Sequence, residues 1–225
     1  MKYNLVFVHG WGYDRNFWKP VGNLLKSNFD CNIEILDLGF FSNSNEFYFS
    51  NNSKNIFITH SYGLIWFLER NFKTDLLINF FSTPDFLSFQ SEADKKKKIL
   101  LLMIYNFHKS PNQVLTKFYK NCGVKSFYNP ENKLMNYEKL INALKKLKNQ
   151  NFTKEFLKLD CEIFSFFGTD DKIFNPEIKK IKNLSRKNHH INFLKTNKHA
   201  EPFIEPKKIC KILIRIIKEF HAKKK

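Results

Sequence analysis

The chain has 225 residues, a length that suits one sizeable hydrophobic core better than several domains. Hydrophobic residues make up 43% of it, but no apolar run approaches the roughly 18 residues that span a bilayer, so we expect no membrane-spanning helix. No internal repeat of 20 to 50 residues is present, which argues against a solenoid.

The cysteines indicate a reducing compartment. Four of them lie far apart in the sequence and show no paired spacing, at Cys31, Cys122, Cys161 and Cys210. This pattern favours reduced, mostly buried thiols over a disulfide framework or a zinc site. The first strand also begins too close to the start of the chain to be a secretory leader. We therefore predict a cytoplasmic protein without a structural metal.

The first predicted element is a strand. Residues 5–8 form a short continuous apolar run, as expected for a strand buried on both faces. The run ends in the motif HGWG at residues 9–12. Glycines there let the backbone turn tightly, so the Trp11 N–H can point toward a developing oxyanion. The Trp11 side chain is either part of a substrate pocket or an ordinary packing residue.

The most informative segment is THSYG at residues 59–63. It follows the apolar run 56–58 and precedes the apolar run 64–68, which predicts the strand, sharp turn and helix of a nucleophile elbow. Ser61 would stand at the strained turn, with the Tyr62 N–H as a second oxyanion donor. Taken alone, a Ser-x-Gly pair also occurs in ordinary turns.

The order of elements divides the chain into three parts. Strands and helices alternate up to about residue 80, which indicates a parallel sheet. Residues 87–160 instead show apolar residues at helical spacing, and the alternation resumes afterwards and ends in a helix over residues 206–220. We predict an α/β core in two parts, 1–86 and 161–225, and a helical lid insertion between them.

Two later strands end close to acid-base side chains. The buried-strand run 163–167 is followed by Asp170 and Asp171, and the run 191–194 leads to His199. Each group falls at the carboxyl end of a predicted strand, where open α/β sheets place their chemistry. The order serine, aspartate, histidine differs from those of chymotrypsin and subtilisin. The sequence therefore predicts a catalytic triad of Ser61, Asp171 and His199. Asp170 is the alternative acid.

These motifs together resemble the α/β-hydrolase superfamily over about residues 4–220. Within it, the chain is most similar to the pimeloyl-[acyl-carrier protein] methyl ester esterases of biotin synthesis. The details shared with that subgroup are Trp18 seven residues after Trp11, STPDF at residues 82–86, and VLTKFY at residues 114–119, which resembles the lid helix. The resemblance implies an α/β-hydrolase fold, with a mostly parallel sheet flanked by helices and a helical lid.

The resemblance also implies an activity. It points to a serine carboxylesterase that needs no cofactor and hydrolyses the methyl ester of a pimeloyl chain on an acyl carrier protein. Trp11, Phe107 and Phe118 would line the acyl channel, and core packing is the alternative for the two phenylalanines. A general carboxylesterase or thioesterase, or a carbon-carbon bond hydrolase, acting on a small free substrate would use the same triad. Thr59 occupies a position where the family has glycine, which predicts a displaced elbow or a compensating contact.

The net charge of +17 has two interpretations. One is a codon bias that enriches Lys, Asn, Ile and Phe together. The other rests on residues 87–160, where 15 lysines face six acidic residues, a net charge of +9 that would attract an acidic carrier protein. The candidate docking residues are Lys95, Lys96, Lys97, Lys98, Lys117 and Lys120. Nucleic acid is not expected as a partner, because the lysines are not interleaved with arginine and no recognition motif accompanies them. We expect a monomer that does not bind membranes.

Overall fold

The computed structural model describes residues 3–28, 31–45, 47, 53–125, 128–130 and 134–223. Its centre is a six-stranded sheet with the strand order β2-β1-β3-β4-β5-β6. Every neighbouring pair of these strands runs parallel. The strands are β1 (Tyr3–Val8), β2 (Cys31–Leu36), β3 (Lys54–His60), β4 (Leu76–Phe80), β5 (Glu162–Gly168) and β6 (His189–Leu194). The predicted parallel sheet is confirmed.

The burial of the strands follows their position in the sheet. The four inner strands β1, β3, β4 and β5 are buried along nearly their whole length, as continuous apolar runs predict for strands covered on both faces. The edge strands β2 and β6 are largely half-buried. The sequence of β2 mixes Asn32 and Glu34 with apolar residues, so its pattern is weaker than that of an inner strand.

Helices flank the sheet. The core contributes α1 (Lys19–Lys26), α2 (Tyr62–Glu69), α7 (Ile178–Lys182), α8 (Glu201–Ile204) and α9 (Pro206–Ala222), and a short 3₁₀ turn precedes α1. The terminal helix α9 packs against α1, and its predicted start at Pro206 is confirmed. Among the described residues, no helix is both long and apolar enough to cross a bilayer.

The stretch between β4 and β5 is helical, as predicted. It contains α3 (Ala93–Phe107), α4 (Pro111–Asn121), α5 (Tyr137–Asn149) and α6 (Thr153–Leu157). Helix α3 packs against both α4 and α5, and α5 also contacts α2. We call residues 87–160 the helical segment. Its role as a lid, and the domain boundaries drawn around it, stay predictions.

The two histidines that begin β6 contact neighbouring parts of the fold. His189 is buried, and its Nδ1 and Nε2 lie 2.9 Å from the Leu184 carbonyl oxygen and the Ser165 hydroxyl oxygen, respectively. His190 stacks on the Phe164 ring. The cysteines are mostly buried thiols, as predicted. Cys122, Cys161 and Cys210 are buried, and Cys31 is half-buried.

Candidate active site

Ser61 lies at a sharp turn between β3 and α2. Its φ of 51° is in the left-handed region, which costs a non-glycine residue free energy and is typical of functional turns. The Ser61 N–H donates to the Phe80 carbonyl at 2.9 Å, which ties the turn to the end of the neighbouring strand β4. The strand, strained turn and helix expected from the sequence are all present.

Gly63 lets helix α2 approach β1 closely. A Cβ atom at this position would lie 2.7 Å from the Val8 carbonyl oxygen and 2.9 Å from the His9 carbonyl oxygen. Both are backbone atoms at the end of β1, so neither can move aside without shifting the strand. Glycine at this position is therefore required for the elbow to sit beside the HGWG loop.

We expect Gly63→Ala to lower the free energy of unfolding by about 1–3 kcal/mol, because the added methyl group overpacks a backbone contact. Gly22→Ala is the matched control, since Gly22 also lies in a helix. Its nearest contact, Ile35 Cδ1 at 3.2 Å, is the end of a flexible side chain. Urea unfolding of both variants checks this prediction. Equal stability of the two variants would contradict the close approach at Gly63.

Thr59 fits the elbow through a compensating contact. It is fully buried, and its hydroxyl donates to the Asn79 side-chain oxygen at 3.1 Å. The Asn79 amide in turn donates to the Ser82 carbonyl at 2.7 Å. Thr59 keeps its pairing with Val8 and Asn79 in the sheet. The larger residue is thus accommodated without displacing β3.

The structure brings Ser61, His199 and Asp171 together. The Ser61 Oγ lies 2.9 Å from His199 Nε2, and His199 Nδ1 lies 2.6 Å from Asp171 Oδ2. The three residues are 4%, 0% and 2% exposed, so little water competes for these bonds. With the Nδ1–H donated to the carboxylate, Nε2 is free to accept the serine proton.

Of the two adjacent aspartates, Asp171 contacts the histidine. Its other oxygen, Oδ1, accepts the backbone N–H groups of Ile173 at 2.8 Å and Phe174 at 3.2 Å. Asp170 is exposed, and its carboxylate accepts the Thr169 hydroxyl. The geometry therefore favours Asp171 over Asp170 as the partner of His199.

His60 holds the backbone of His199 through a hydrogen bond, a role that the sequence did not indicate. His60 is fully buried, and its Nε2 lies 3.0 Å from the His199 carbonyl oxygen, to which it donates. Burial lowers the pKa of His60 well below its usual range. His60 therefore stays neutral and does not repel a positive charge on His199, whose ring centroid is 4.9 Å away.

His9 stabilises the HGWG loop through two hydrogen bonds. Its Nδ1 donates to the Gly10 carbonyl at 2.9 Å, and its Nε2 accepts the Leu38 N–H at 3.0 Å. Helix α4 holds the same loop from the other side, because the Tyr119 hydroxyl donates to the Gly12 carbonyl at 2.5 Å. These bonds fix the loop that carries the Trp11 N–H.

The Trp11 and Tyr62 N–H groups have no acceptor within the part of the chain that the structure describes. Tyr62 is the first residue of α2, where helical N–H groups have no partner inside the helix. Both residues are buried. Tyr62 follows Ser61 in the chain and Trp11 lines the same cavity as Ser61, so these two N–H groups are candidates to stabilise an oxyanion.

A cavity of about 300 Å³ opens from Ser61 into the helical segment. Trp11 and Phe118 line it, as expected for substrate-binding residues, and the rest of the wall is mostly apolar. Phe107 does not line it. This side chain is fully buried and packs edge-on behind the Trp11 ring, because it lies on the inner side of α3. Phe107 is therefore a core-packing residue, which was the alternative to a place in the acyl channel.

The candidate docking lysines differ in their surroundings. Lys97, Lys98 and Lys120 are exposed, Lys95 is exposed and pairs with Glu92, and Lys117 lies at the cavity wall. Lys96 departs from the expectation of a docking residue. Its ammonium is half-buried and donates to the backbone carbonyls of Lys172 and Ile173.

The site contains the parts that acyl transfer requires. These are a hydroxyl, an imidazole in contact with it, a carboxylate in contact with the imidazole, and two N–H groups of buried residues. Within the described ranges, three or more His, Cys, Asp or Glu side chains do not come together as a metal site. A hydroxyl next to an imidazole that a carboxylate orients is an arrangement able to form and break an acyl-serine.

Comparison with curated proteins finds a relative of similar length. The chain is 26% identical to pimeloyl-[acyl-carrier protein] methyl ester esterase of Wigglesworthia glossinidia brevipalpis, over 97% of this chain and 95% of the relative. No family model matches the chain. The similarity thus extends over nearly the whole length of both proteins.

Solved structures show the same fold at low identity. The esterase EaEST from Exiguobacterium antarcticum superposes with a TM-score of 0.78 at 14% identity, covering 96% of this chain and 92% of that one. A bromoperoxidase from Bacillus anthracis gives 0.78 at 12% identity, covering 97% and 92%. A thermophilic esterase from Thermogutta terrifontis gives 0.71 at 14%, covering 97% and 90%. The predicted α/β-hydrolase fold is confirmed.

Proposed function

We propose that this chain, an α/β-hydrolase by fold, is a serine carboxylesterase that hydrolyses the methyl ester of a pimeloyl chain on an acyl carrier protein. The observation that supports the chemistry is the hydrogen-bonded line from Ser61 through His199 to Asp171, at the base of an apolar cavity. The substrate is inferred from the curated relative, whose name specifies it.

The first half-reaction acylates the enzyme. His199 Nε2 takes the Ser61 proton as the oxygen attacks the ester carbonyl carbon. Asp171 stabilises the resulting imidazolium, and the Trp11 and Tyr62 N–H groups bind the oxyanion of the tetrahedral intermediate. His199 then returns its proton to the methoxy oxygen, the carbon-oxygen bond breaks, and methanol leaves.

The second half-reaction regenerates the serine. A water molecule enters the position that methanol vacated, and His199 removes a proton from it as its oxygen attacks the acyl carbon. The second tetrahedral intermediate collapses with proton return to Ser61 Oγ. The products are the free carboxylic acid, still attached to its carrier, and the unmodified enzyme.

The cavity suits a slim aliphatic chain. Its volume of about 300 Å³ is at the lower end of the range for ligand pockets. Trp11 and Phe118 give it apolar walls near Ser61, and no carboxylate of the described residues lines it. In this proposal the helical segment acts as a lid, because α3 and α4 supply most of the wall over Ser61.

The outer surface of the helical segment suits an acidic carrier protein. The lysines that remain in the proposed docking surface after Lys96 is removed are Lys95, Lys97, Lys98, Lys117 and Lys120. Exposed apolar side chains lie beside them on α3, namely Ile99, Leu102 and Tyr105. Ile99 and Leu102 also line the cavity, so a carrier docked there would be close to its opening. The basic side chains would steer an acidic carrier protein toward this surface, and the apolar side chains would pack against the carrier once it has docked.

The substrate is tested by comparing carrier-bound and free methyl esters. We expect a kcat/KM for the carrier-bound pimeloyl methyl ester at least tenfold above that for free dimethyl pimelate, because only the former can use the docking surface. Rescue of a biotin auxotroph that lacks its own esterase, by wild type but not by Ser61→Ala, would test the same claim in cells. Equal rates on both esters would instead favour a general carboxylesterase.

Charge reversal tests the docking surface. The double variant Lys97→Glu/Lys98→Glu should lower kcat/KM on the carrier-bound ester by about tenfold at low salt, because steered association depends on charge. Activity on the free ester should be unchanged. Lys211→Glu, an exposed charge reversal on α9, is the control and should have little effect. The loss should shrink as ionic strength rises. An unchanged rate on the carrier-bound ester would contradict docking at this surface.

A further inference from the structure

Lys96 is engaged with the loop that follows β5. It lies in the first part of α3, and its Nζ donates to the Lys172 carbonyl at 2.6 Å and to the Ile173 carbonyl at 3.2 Å. The three other lysines of the run 95–98 are exposed. Of these, Lys95 pairs with Glu92 on the surface of the same helix. Lys96 alone among the four reaches a different element.

The two peptide groups that Lys96 contacts are the ones that hold the triad acid. The carbonyl of Lys172 and the N–H of Ile173 belong to one peptide group, and that N–H donates to Asp171 Oδ1 at 2.8 Å. The carbonyl of Ile173 and the N–H of Phe174 belong to the next one, and that N–H donates to the same oxygen at 3.2 Å. In a trans peptide the two dipole ends point in opposite directions. Both peptide groups therefore lie between the ammonium and the carboxylate.

We propose that Lys96 is a positioning residue for catalysis: it fixes and polarises the two peptide groups that hold Asp171, and so holds the carboxylate in place for His199. This inference rests on the proposed function, because it assigns the role of Asp171 to the same hydrolytic site. Lys96 does not touch the reacting atoms.

Electrostatics supports the arrangement. A cation at the carbonyl end of a peptide group strengthens the hydrogen bond at its N–H end, since bonds in a chain polarise one another. Burial lowers the pKa of Lys96, whereas the charges of Asp171 and Glu92 oppose that shift. Of the nearby charges, that of Asp171 favours the ammonium form of Lys96 most.

The arrangement also connects the helical segment to the triad. Lys96 belongs to α3, whereas Asp171 follows β5 of the core, and Lys96 lines the same cavity as Ser61. A movement of α3 away from the core would withdraw the ammonium from the loop of Asp171. The triad acid is then held best when the helical segment is in the position seen here.

The test compares Lys96→Met with Lys96→Arg and with Lys211→Met, an exposed lysine on α9 that loses the same charge. For Lys96→Met we expect about a tenfold lower kcat on free dimethyl pimelate, with KM changed less than twofold, because misplacement of a catalytic group affects the transition state. Amide hydrogen exchange at Ile173 and Phe174 should be at least tenfold faster. Lys96→Arg should retain most activity, and Lys211→Met should match wild type.

The two readouts separate this inference from the proposed function. If wild type neither hydrolyses esters nor reacts with a fluorophosphonate, the proposed function fails. The catalytic role of Lys96 then fails with it, even if amide exchange at Ile173 and Phe174 is faster in Lys96→Met. If wild type is active and Lys96→Met equals Lys211→Met in kcat and in exchange, only the role of Lys96 is overturned. Should Lys96→Met not fold, Lys96→Gln provides the same comparison, because its amide can donate to one carbonyl but carries no charge.

Discussion

Replacing Ser61 with alanine should lower kcat/KM on a small methyl ester by about four to six orders of magnitude, because the variant loses the hydroxyl on which the acyl-enzyme would form. His199→Ala should cause a loss of similar size, since the hydroxyl is a weak nucleophile without its base. The double variant should lose little more than either single one, as expected for residues that act as a unit. Initial rates on dimethyl pimelate provide the measurement.

Two controls keep this result interpretable. Ser185→Ala removes an exposed hydroxyl and should leave the rate at the wild-type level. Circular dichroism and thermal unfolding should show that Ser61→Ala is folded, since among the described residues the Ser61 side chain makes one hydrogen bond, to His199. A folded Ser61→Ala that retains more than about one hundredth of the wild-type rate would rule out the serine mechanism.

The largest contrast between two neighbouring positions is expected at Asp170 and Asp171. Asp171→Asn should lower kcat by about 10⁴-fold, because an amide can donate to the histidine and stabilise the wrong tautomer. Asp170→Asn should change kcat less than threefold, since that carboxylate is exposed and accepts the hydroxyl of its neighbour Thr169 rather than a bond from His199. Steady-state kinetics on the same ester measures both.

The paired variants differ by one position in the chain and remove the same charge. A global electrostatic effect of losing an acidic residue would therefore appear in both. Equal losses in the two variants would contradict the specific role of Asp171. A larger loss in Asp170→Asn would make Asp170 the triad acid, against the 2.6 Å contact between Asp171 and His199.

The sequence was sufficient for the inner strands and for the residues at their ends. Buried parallel strands are continuous apolar runs, so β1, β3, β4 and β5 could be recognised without any partner. The chemistry-bearing residues could be placed because the carboxyl ends of parallel strands share one edge of the sheet. The edge strand β2 was not singled out, because its polar residues weaken the pattern.

The remaining features depend on the direction in which a side chain points, and the sequence alone does not specify that direction. Four consecutive lysines look equivalent in the run 95–98, but the helical turn directs only Lys96 toward the loop of Asp171. Phe107 and Phe118 are equally aromatic, yet only Phe118 faces the cavity. The sequence does not show that His189 is buried, because its hydrogen-bond partner Ser165 belongs to a different strand, β5. Each case required the packing of elements that are distant in the sequence.

The fold does not by itself identify the reaction. The structural relatives include two esterases and a bromoperoxidase at similar TM-scores. One scaffold therefore hosts different chemistries, and the activity has to be inferred from the side chains at its site. In this chain those side chains are a serine, a histidine and a carboxylate in contact.

The central claim is that Ser61 is a nucleophile activated by His199, and covalent labelling tests it most directly. Wild type, Ser61→Ala and His199→Ala are treated with a fluorophosphonate, and intact mass followed by peptide mapping locates the adduct. We predict one adduct per wild-type chain, on Ser61, with none on Ser61→Ala and a rate at least a thousandfold slower on His199→Ala. An unlabelled wild-type chain, or a label on another residue, would contradict the account.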